Sequence, residues 1–316
     1  MALSPRARFK LERFQKQLSA FFSGQKVAPR PKICPACGSL VGTTATRCHQ
    51  CGASLTFGLA AASKSLGKLL PETAPVTYSI LTICCAIYVA TLIVTVRQTG
   101  FAMPSGGLFG IFNLGAISNG VLKRAGASLP FAGQFGMPWQ SDLHEPWRLL
   151  TAVFLHGSIL HIAFNMWVLM DIGPVVEEMY GSARYLFIFV VTGIGGYVLS
   201  GFIGNFSMGA SGALLGLIGA LLATTMGRRS AGMQMLRSNL IRWLIYIAVL
   251  GFVFHFVDNW AHAGGFITGF ILGKLLPSRP PASAEERKRA YAMGWAAGLA
   301  VVASFAFVIY GILGRR

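Results

Sequence analysis

Seven apolar segments are the feature that most constrains what this chain folds into. Each is close to the length of about 20 residues that a helix needs to cross a bilayer. The chain is 54% hydrophobic and only 12% charged, whereas a soluble domain carries about 25% charged residues. The sequence therefore predicts an all-α polytopic membrane protein, with spans near 77–96, 149–172, 184–204, 210–227, 239–256, 260–276 and 291–313.

The distribution of basic residues predicts the orientation of these spans. Lys and Arg are dense before the first span, between the fourth and fifth, and between the sixth and seventh. Basic loops stay on the cytoplasmic side, so we expect a cytoplasmic N-terminus. No transit peptide is apparent, which favours the cell (inner) membrane over an organelle. The net charge of +17 also suits a nucleic-acid-binding protein. We expect no nucleic acid partner, because the basic residues adjoin apolar segments.

The N-terminal region contains a metal-binding pattern. The sequences CPACG at 34–38 and CHQCG at 48–52 form two C-x-x-C-G knuckles. This spacing is typical of a structural Zn²⁺ site, with Cys34, Cys37, Cys48 and Cys51 as ligands. Disulfides or a redox pair are the alternatives, and a cytoplasmic location disfavours disulfides. Four thiolates leave no open coordination position, so we expect a small zinc ribbon over 31–55 that docks a protein partner or regulates the chain, and no cofactor for catalysis.

The segments on either side of the ribbon carry weaker signals. Residues 1–30 contain a basic amphipathic stretch that would lie on an anionic membrane surface. A short solvated helix or a disordered tail explains this stretch equally well. Residues 56–75 are interpreted as a linker.

Polar residues inside apolar spans suggest a reaction site, because such residues are costly in a membrane. Ser211 opens the fourth span and His262 opens the sixth, at the same level. His161 and Asn165 are four residues apart and share a helix face. A histidine base can activate a serine hydroxyl, and His161, Asn165 and the Ser211 N–H can donate to an oxyanion. Gly209 leaves room for a substrate backbone.

Two stripes of small residues predict that the fourth and sixth spans pack closely, which would bring the serine and the histidine together. One stripe is Gly212, Gly216 and Gly219, and the other is Gly265, Gly269 and Gly273. Asp258, one turn before His262, is interpreted either as a third member of a triad or, preferably, as a helix cap. Asp171, Glu177 and Glu178 are expected to be solvated or snorkelling at the cytoplasmic interface.

The motifs HGSILHIAFN, GASG and AHAGG, in this order on the second, fourth and sixth spans, resemble those of the rhomboid family of intramembrane serine proteases. EPWR at 145–148 resembles the Trp-Arg pair of that family's first external loop, and Arg148 is expected to hold that loop's shape. The resemblance covers about 76–277 and implies a six-helix core. Residues 278–316 then supply a linker and a seventh transmembrane helix.

The resemblance also implies roles. Ser211 is the expected nucleophile, His262 the general base and acid, His161 and Asn165 the oxyanion donors, and Gly209 a member of the G-x-S-G signature. Single-pass transmembrane proteins are the implied substrates, cut near the outer face of the bilayer. A non-catalytic relative that binds and escorts membrane clients is the alternative function. A channel or transporter is disfavoured, because the polar residues cluster at one level.

Overall fold

The computed structural model describes residues 32–33, 40–42, 45, 49–50, 74–101, 111–131, 144–253 and 257–314. The chain divides into two compact units, Met1–Lys68 and Leu69–Arg316. The segment 1–30, most of the 56–75 linker and the four ribbon cysteines lie outside the described residues, so the expectations for them stay predictions.

The described part of the first unit is a short antiparallel hairpin. Strand β1 (Lys32–Ile33) pairs with β2 (Leu40–Val41), with Ile33 opposite Leu40. The first C-x-x-C pair falls in the sequence between these strands, and His49 and Gln50 form a turn between the second pair.

The described part of the second unit consists of helices joined mostly by short connections. In chain order these are α1 (Pro75–Thr99), α2 (Asn119–Arg124), α3 (Arg148–Thr151), α4 (Ile159–Tyr180), α5 (Ser182–Ile203), α6 (Ser211–Thr225), α7 (Ala231–Val253), α8 (Asn259–Leu275) and α9 (Ala284–Leu313). A 3₁₀ turn, Ala152–Phe154, follows α3.

Five of these helices, α1, α4, α5, α7 and α9, are long and apolar enough to cross a membrane. The helix α6 is apolar but shorter, with 15 residues, and α8 has 17 residues. These helices support a multi-pass integral membrane protein. Every predicted span overlaps one of these seven helices of the described residues.

The predicted start of the second span, at 149, is wrong by ten residues. The residues from 148 to 154 instead form α3 and the 3₁₀ turn. Helix α4 begins only after Ser158, whose Oγ accepts a hydrogen bond of 3.3 Å from the His161 amide. A serine at this position satisfies one of the free N–H groups of the first turn. The apolar run "LLTAVFL" therefore belongs to a buried connection that precedes the helix.

Glycines set the central contact of the bundle, between α6 and α8. A Cβ built at Gly265 or Gly269 would overlap the carbonyl oxygen of Gly212 or Gly216, respectively. One turn further, a Cβ at Gly273 would lie 2.5 Å from the Ala220 carbonyl oxygen. The two helices therefore run parallel with their backbones in direct contact, as the two stripes of small residues predicted.

Glu177 is not solvated, contrary to the sequence interpretation. It is 3% exposed. Its carboxylate accepts hydrogen bonds from the Val76 amide (3.0 Å), the Thr77 amide and hydroxyl (both 2.8 Å) and the Ser182 hydroxyl (2.6 Å). A negative charge at a helix N-terminus satisfies free N–H groups and interacts favourably with the helix dipole. Glu177 therefore ties the start of α1 to the junction of α4 and α5.

Asp171 and Glu178 remain exposed, but Asp171 also has a specific partner. Its Oδ2 accepts a hydrogen bond of 2.7 Å from the indole N–H of Trp243 on α7. The rings of Trp243 and Trp167 lie edge to face, with centroids 5.2 Å apart. Long side chains therefore connect α7 to α4.

The contact between α6 and α8 leads to a stability prediction. In Gly269→Ala the new methyl group meets the Gly216 carbonyl, and neither backbone can yield without separating the helices. We expect a loss of about 1–3 kcal/mol in the free energy of unfolding, the range for overpacked cores, seen as a lower unfolding temperature in detergent micelles. The matched control is Gly298→Ala on α9, where a Cβ would lie 3.9 Å from Leu186 Cδ2. Equal stability of the two variants would contradict the close approach.

Candidate active site

Ser211 is the first residue of α6 and follows a constrained turn. Gly209 has a φ of +122°, in the range that glycine adopts more readily than other residues. Its amide donates to the Ala152 carbonyl at 2.9 Å, and its carbonyl accepts from the Tyr197 hydroxyl at 2.6 Å. The segment before the serine is therefore held on both sides by neighbouring elements. Ser211 itself is partly exposed.

His262 lies in the first turn of α8 and faces this serine. Its Nε2 is 2.8 Å from Ser211 Oγ, a hydrogen-bond distance. The parallel register of α6 and α8, fixed by the glycines, brings the two side chains together at the same end of the bundle. Both residues are partly exposed.

Asp258 forms the cap of α8, as the sequence analysis preferred. Its carboxylate accepts hydrogen bonds from the amides of Trp260 (3.1 Å) and Ala261 (3.0 Å), from Asn205 Nδ2 (3.1 Å) and from the Ser200 hydroxyl. These four donors tie the start of α8 to the end of α5. The carboxylate is thus engaged in holding the helix that carries His262.

His161 projects from the first turn of α4 towards the Ser211 turn. Its Nδ1 accepts a hydrogen bond of 3.3 Å from the Gly157 amide, so in the neutral ring the proton is on Nε2. A Cβ built at Gly209 would lie 2.7 Å from this Nε2. A ring N–H donor therefore borders the serine turn.

Asn165 lies one turn below His161 on the same face, and it is 2% exposed. Its Nδ2 donates to the His161 carbonyl at 2.9 Å, which leaves the second amide hydrogen for another acceptor. Its Oδ1 has no hydrogen-bond partner among the described residues. The structure therefore brings His161 close to Gly209 and places Asn165 beneath it.

Three residues that the sequence reasoning did not assign to the site support its geometry. Ala152 and Tyr197 hold Gly209, as described above. His156, which is 1% exposed, packs its ring edge to face on His161, with centroids 5.2 Å apart. Two sequence signals were available: His156 opens the HGSILHIAFN motif, and Tyr197 directly follows Gly195 and Gly196 on an apolar span. The Ala152 contribution comes from its carbonyl, which no sequence pattern reveals.

Among the described residues, no group of three or more His, Cys, Asp and Glu side chains is arranged to hold a metal ion. The four ribbon cysteines lie outside this part of the chain.

Comparisons with known proteins agree with the motifs. Residues 143–279 match the family model of the rhomboid domain, and this range contains the serine, both histidines, the asparagine and Gly209. The Rhomboid protease GluP of Bacillus subtilis is 37% identical over 169 residues, which cover 53% of this chain and 32% of that protein. These matches support the rhomboid family.

Two further relatives are from Arabidopsis thaliana. RHOMBOID-like protein 6, mitochondrial, is 38% identical over 45% of this chain and 48% of its own length. Inactive RHOMBOID-like protein 8 is 32% identical over 55% of this chain and 50% of its own length. The chain thus spans 32% to 50% of the length of these three relatives, and one of them is named inactive.

The turn before Ser211 predicts a sensitivity to any side chain at Gly209. In Gly209→Ala the backbone is strained at φ +122° and the methyl group collides with the His161 ring. We expect the free energy of unfolding to fall by about 1–3 kcal/mol, the usual cost of a residue in such a conformation, measured by thermal unfolding in micelles. Gly157→Ala is the control, because its Cβ would lie 3.6 Å from Met208 Sδ, an ordinary contact. A Gly209→Ala protein as stable as this control would refute the constraint.

Proposed function

We propose that this chain is an intramembrane serine endopeptidase that cleaves transmembrane substrates by a Ser211–His262 dyad with an oxyanion hole. The observation that carries the proposal is the 2.8 Å distance between Ser211 Oγ and His262 Nε2. Nucleophilic serine catalysis requires a base within this reach. The comparisons agree with the reaction class.

The first chemical step follows from this geometry. Ser211 Oγ attacks the carbonyl carbon of the substrate peptide while its proton passes to His262 Nε2. The tetrahedral intermediate collapses when His262 returns the proton to the leaving amine nitrogen, and an acyl-serine ester remains. Water, deprotonated by His262, then attacks the ester and releases the new carboxyl terminus and the serine hydroxyl.

Stabilisation of the oxyanion is assigned to three donors. These are the Nε2–H of His161, the amide group of Asn165 and the Ser211 N–H, which has no acceptor within its own helix because it belongs to the first turn. Removing one such donor typically costs about 3–4 kcal/mol of transition-state stabilisation. The engagement of Asp258 in four hydrogen bonds supports a dyad, because that carboxylate is already occupied as a helix cap.

The position of the site in the bundle supports the choice of substrate. Ser211 opens α6 and lies at the end of the bundle where α4 and α8 also begin. With a cytoplasmic N-terminus, this end faces outward, towards the external side of the cell (inner) membrane. A substrate helix embedded in the bilayer is cut there, close to the surface, where small residues allow it to unwind.

Replacing the serine tests the proposal directly. We expect Ser211→Ala to lower the rate of cleavage of a single-pass model substrate at least about a thousandfold, since loss of a catalytic serine is among the costliest substitutions known. A phosphonate inhibitor is expected to label the unmodified protein at Ser211 and not this variant. The assay is product detection by gel and mass spectrometry in proteoliposomes.

The control for this test is Ser79→Ala, which removes a hydroxyl bonded only to the Pro75 carbonyl of its own helix. Undiminished cleavage by Ser211→Ala would refute the serine mechanism. A folded protein that captures model substrates without cutting them would instead favour the non-catalytic client-binding function, which the relative named inactive makes a concrete alternative.

We further propose that Cys34, Cys37, Cys48 and Cys51 bind one structural Zn²⁺. The described backbone suits this site, since a β1–β2 hairpin flanks the first pair and a turn lies inside the second. Four thiolates would neutralise and enclose the ion. The metal stabilises a ribbon that is too small to have a hydrophobic core of its own. The ribbon in turn docks a protein partner.

Metal analysis tests the zinc proposal. Purified protein is expected to contain about one Zn per chain on a four-thiolate site, and Cys34→Ser is expected to lose most of it. Cys85→Ser, a change on α1 outside the ribbon, is the control and should keep the metal. Protein with all four ribbon thiols reduced and no zinc would contradict the proposal, and four oxidised cysteines would identify disulfides instead.

A further inference from the structure

The last helix, α9, has no role in the proposed reaction and lies beyond the segment that matches the rhomboid domain. Its first half packs along α5, where a Cβ at Gly294 would lie 2.9 Å from the Ala183 methyl carbon. Its last third extends to the end of the bundle that contains Ser211. There it meets the connection that precedes α4.

Two side chains of α9 contact this connection, and a third contacts the turn that follows α2. Phe307 stacks on Trp147 with ring centroids 5.1 Å apart and an interplanar angle of 17°. Phe305 packs against Phe154 at 5.8 Å. Val308, which is 9% exposed, borders Gly126. A Cβ built at Gly126 would lie 3.0 Å from Val308 Cγ2. Aromatic pairs of this kind stabilise a contact beyond the area that they bury.

The contacted connection is internally rigid. Arg148 is buried and donates to the carbonyls of Lys123 (2.7 Å) and Ala127 (3.2 Å), which confirms the expectation that it holds the loop's shape. Thr151 Oγ1 donates to the Gly126 carbonyl at 2.7 Å. The residues from 123 to 127 and those from 147 to 154 are therefore bonded to each other. A displacement of Trp147 or Phe154 is expected to move both segments.

This unit holds the turn that carries the serine. The Ala152 carbonyl, between Thr151 and the Phe154 ring, accepts the Gly209 amide at 2.9 Å. Tyr197 bridges the same two residues, with its hydroxyl 3.4 Å from the Ala152 oxygen and 2.6 Å from the Gly209 oxygen. A contiguous set of contacts thus runs from the α9 side chains through the 147–154 segment to the residue two positions before Ser211.

We propose that α9 is a positioning element for the active site: Phe305 and Phe307 fix the 147–154 segment so that the Ala152 carbonyl holds Gly209, and with it Ser211, in register with His161 and His262. The catalytic part of this inference rests on the proposed function. The mechanical part, the restraint of Gly209 by α9, is independent of any activity.

The test combines hydrogen exchange with kinetics. In the double variant Phe305→Ala/Phe307→Ala, we expect the amide of Gly209 to exchange at least about tenfold faster, as when a restraint worth about 1.4 kcal/mol is lost. The observable is the deuterium uptake of a peptide covering 205–212, followed by mass spectrometry. A peptide covering 216–225, the last ten residues of α6, should keep its exchange rate.

Cleavage of a model substrate by the same variant is expected to show a tenfold lower kcat with KM within twofold of the unmodified protein. A role in substrate binding alone would change KM instead. The matched control is Leu299→Ala/Tyr310→Ala, two side chains of α9 that are 62% and 76% exposed and that should affect neither readout. The variant Phe305→Leu/Phe307→Leu keeps most of the apolar volume but removes the ring contacts. It replaces the alanine variant in both measurements if that variant does not fold.

The outcomes separate the two proposals. Unchanged exchange at Gly209 in a folded variant overturns the positioning role, whether or not the protein is a protease. Faster exchange with an unchanged kcat also overturns it, because the restraint would then have no bearing on the reaction. If the unmodified protein neither cleaves substrate nor reacts with a phosphonate, the proposed function fails, and the exchange measurement still decides the restraint.

Discussion

The direct contact between the backbones of α6 and α8 is the constraint on which the site depends. In a bilayer, helices gain nothing from burying apolar side chains against each other instead of lipid, so close packing of small residues supplies the attraction. Here the glycines at 265 and 269 face the glycines at 212 and 216 without any side chain between them. This contact fixes both the distance between the helices and their register. The hydrogen bond between Ser211 and His262 is a consequence of that register.

Much of this arrangement was accessible from the sequence because it depends on local patterns. Apolar segments of the right length predicted the long helices, and the stripes of closely spaced glycines predicted the α6–α8 contact. The sequence placed Ser211 and His262 at one level, and the structure brings them within hydrogen-bond distance. The start of α4 was missed because the run before His156 is as apolar as a membrane span. Its burial comes from packing against α5 and α9, which hydropathy does not encode.

The hydrogen bonds that hold the site were less predictable, for a physical reason. Glu177 satisfies the first amides of α1, which are about a hundred residues earlier in the chain. Gly209 is held by a carbonyl and a phenol from two other elements. Such partners are determined by the tertiary structure. A backbone carbonyl is present in every residue, so the sequence does not show which one accepts the hydrogen bond. Gly209 was assigned to the site as space for a substrate, whereas its φ and its contact with His161 supply two further reasons for a glycine there.

Two acidic groups, the buried Glu177 and the partly exposed Asp258, serve helix starts at opposite ends of the bundle, and this has a consequence for the histidine. Glu177 caps α1, and Asp258 caps α8 while also binding Ser200 and Asn205. Each carboxylate satisfies several donors that would otherwise be unpaired, a cost of about 1–3 kcal/mol per group. In a serine triad, a carboxylate orients the imidazole. Asp258 is occupied by its cap, so in the proposed dyad the orientation of His262 is assigned to the helix that bears it. On that proposal, the α6–α8 contact and the cap that fixes the start of α8 take the place of the third acidic residue of a triad.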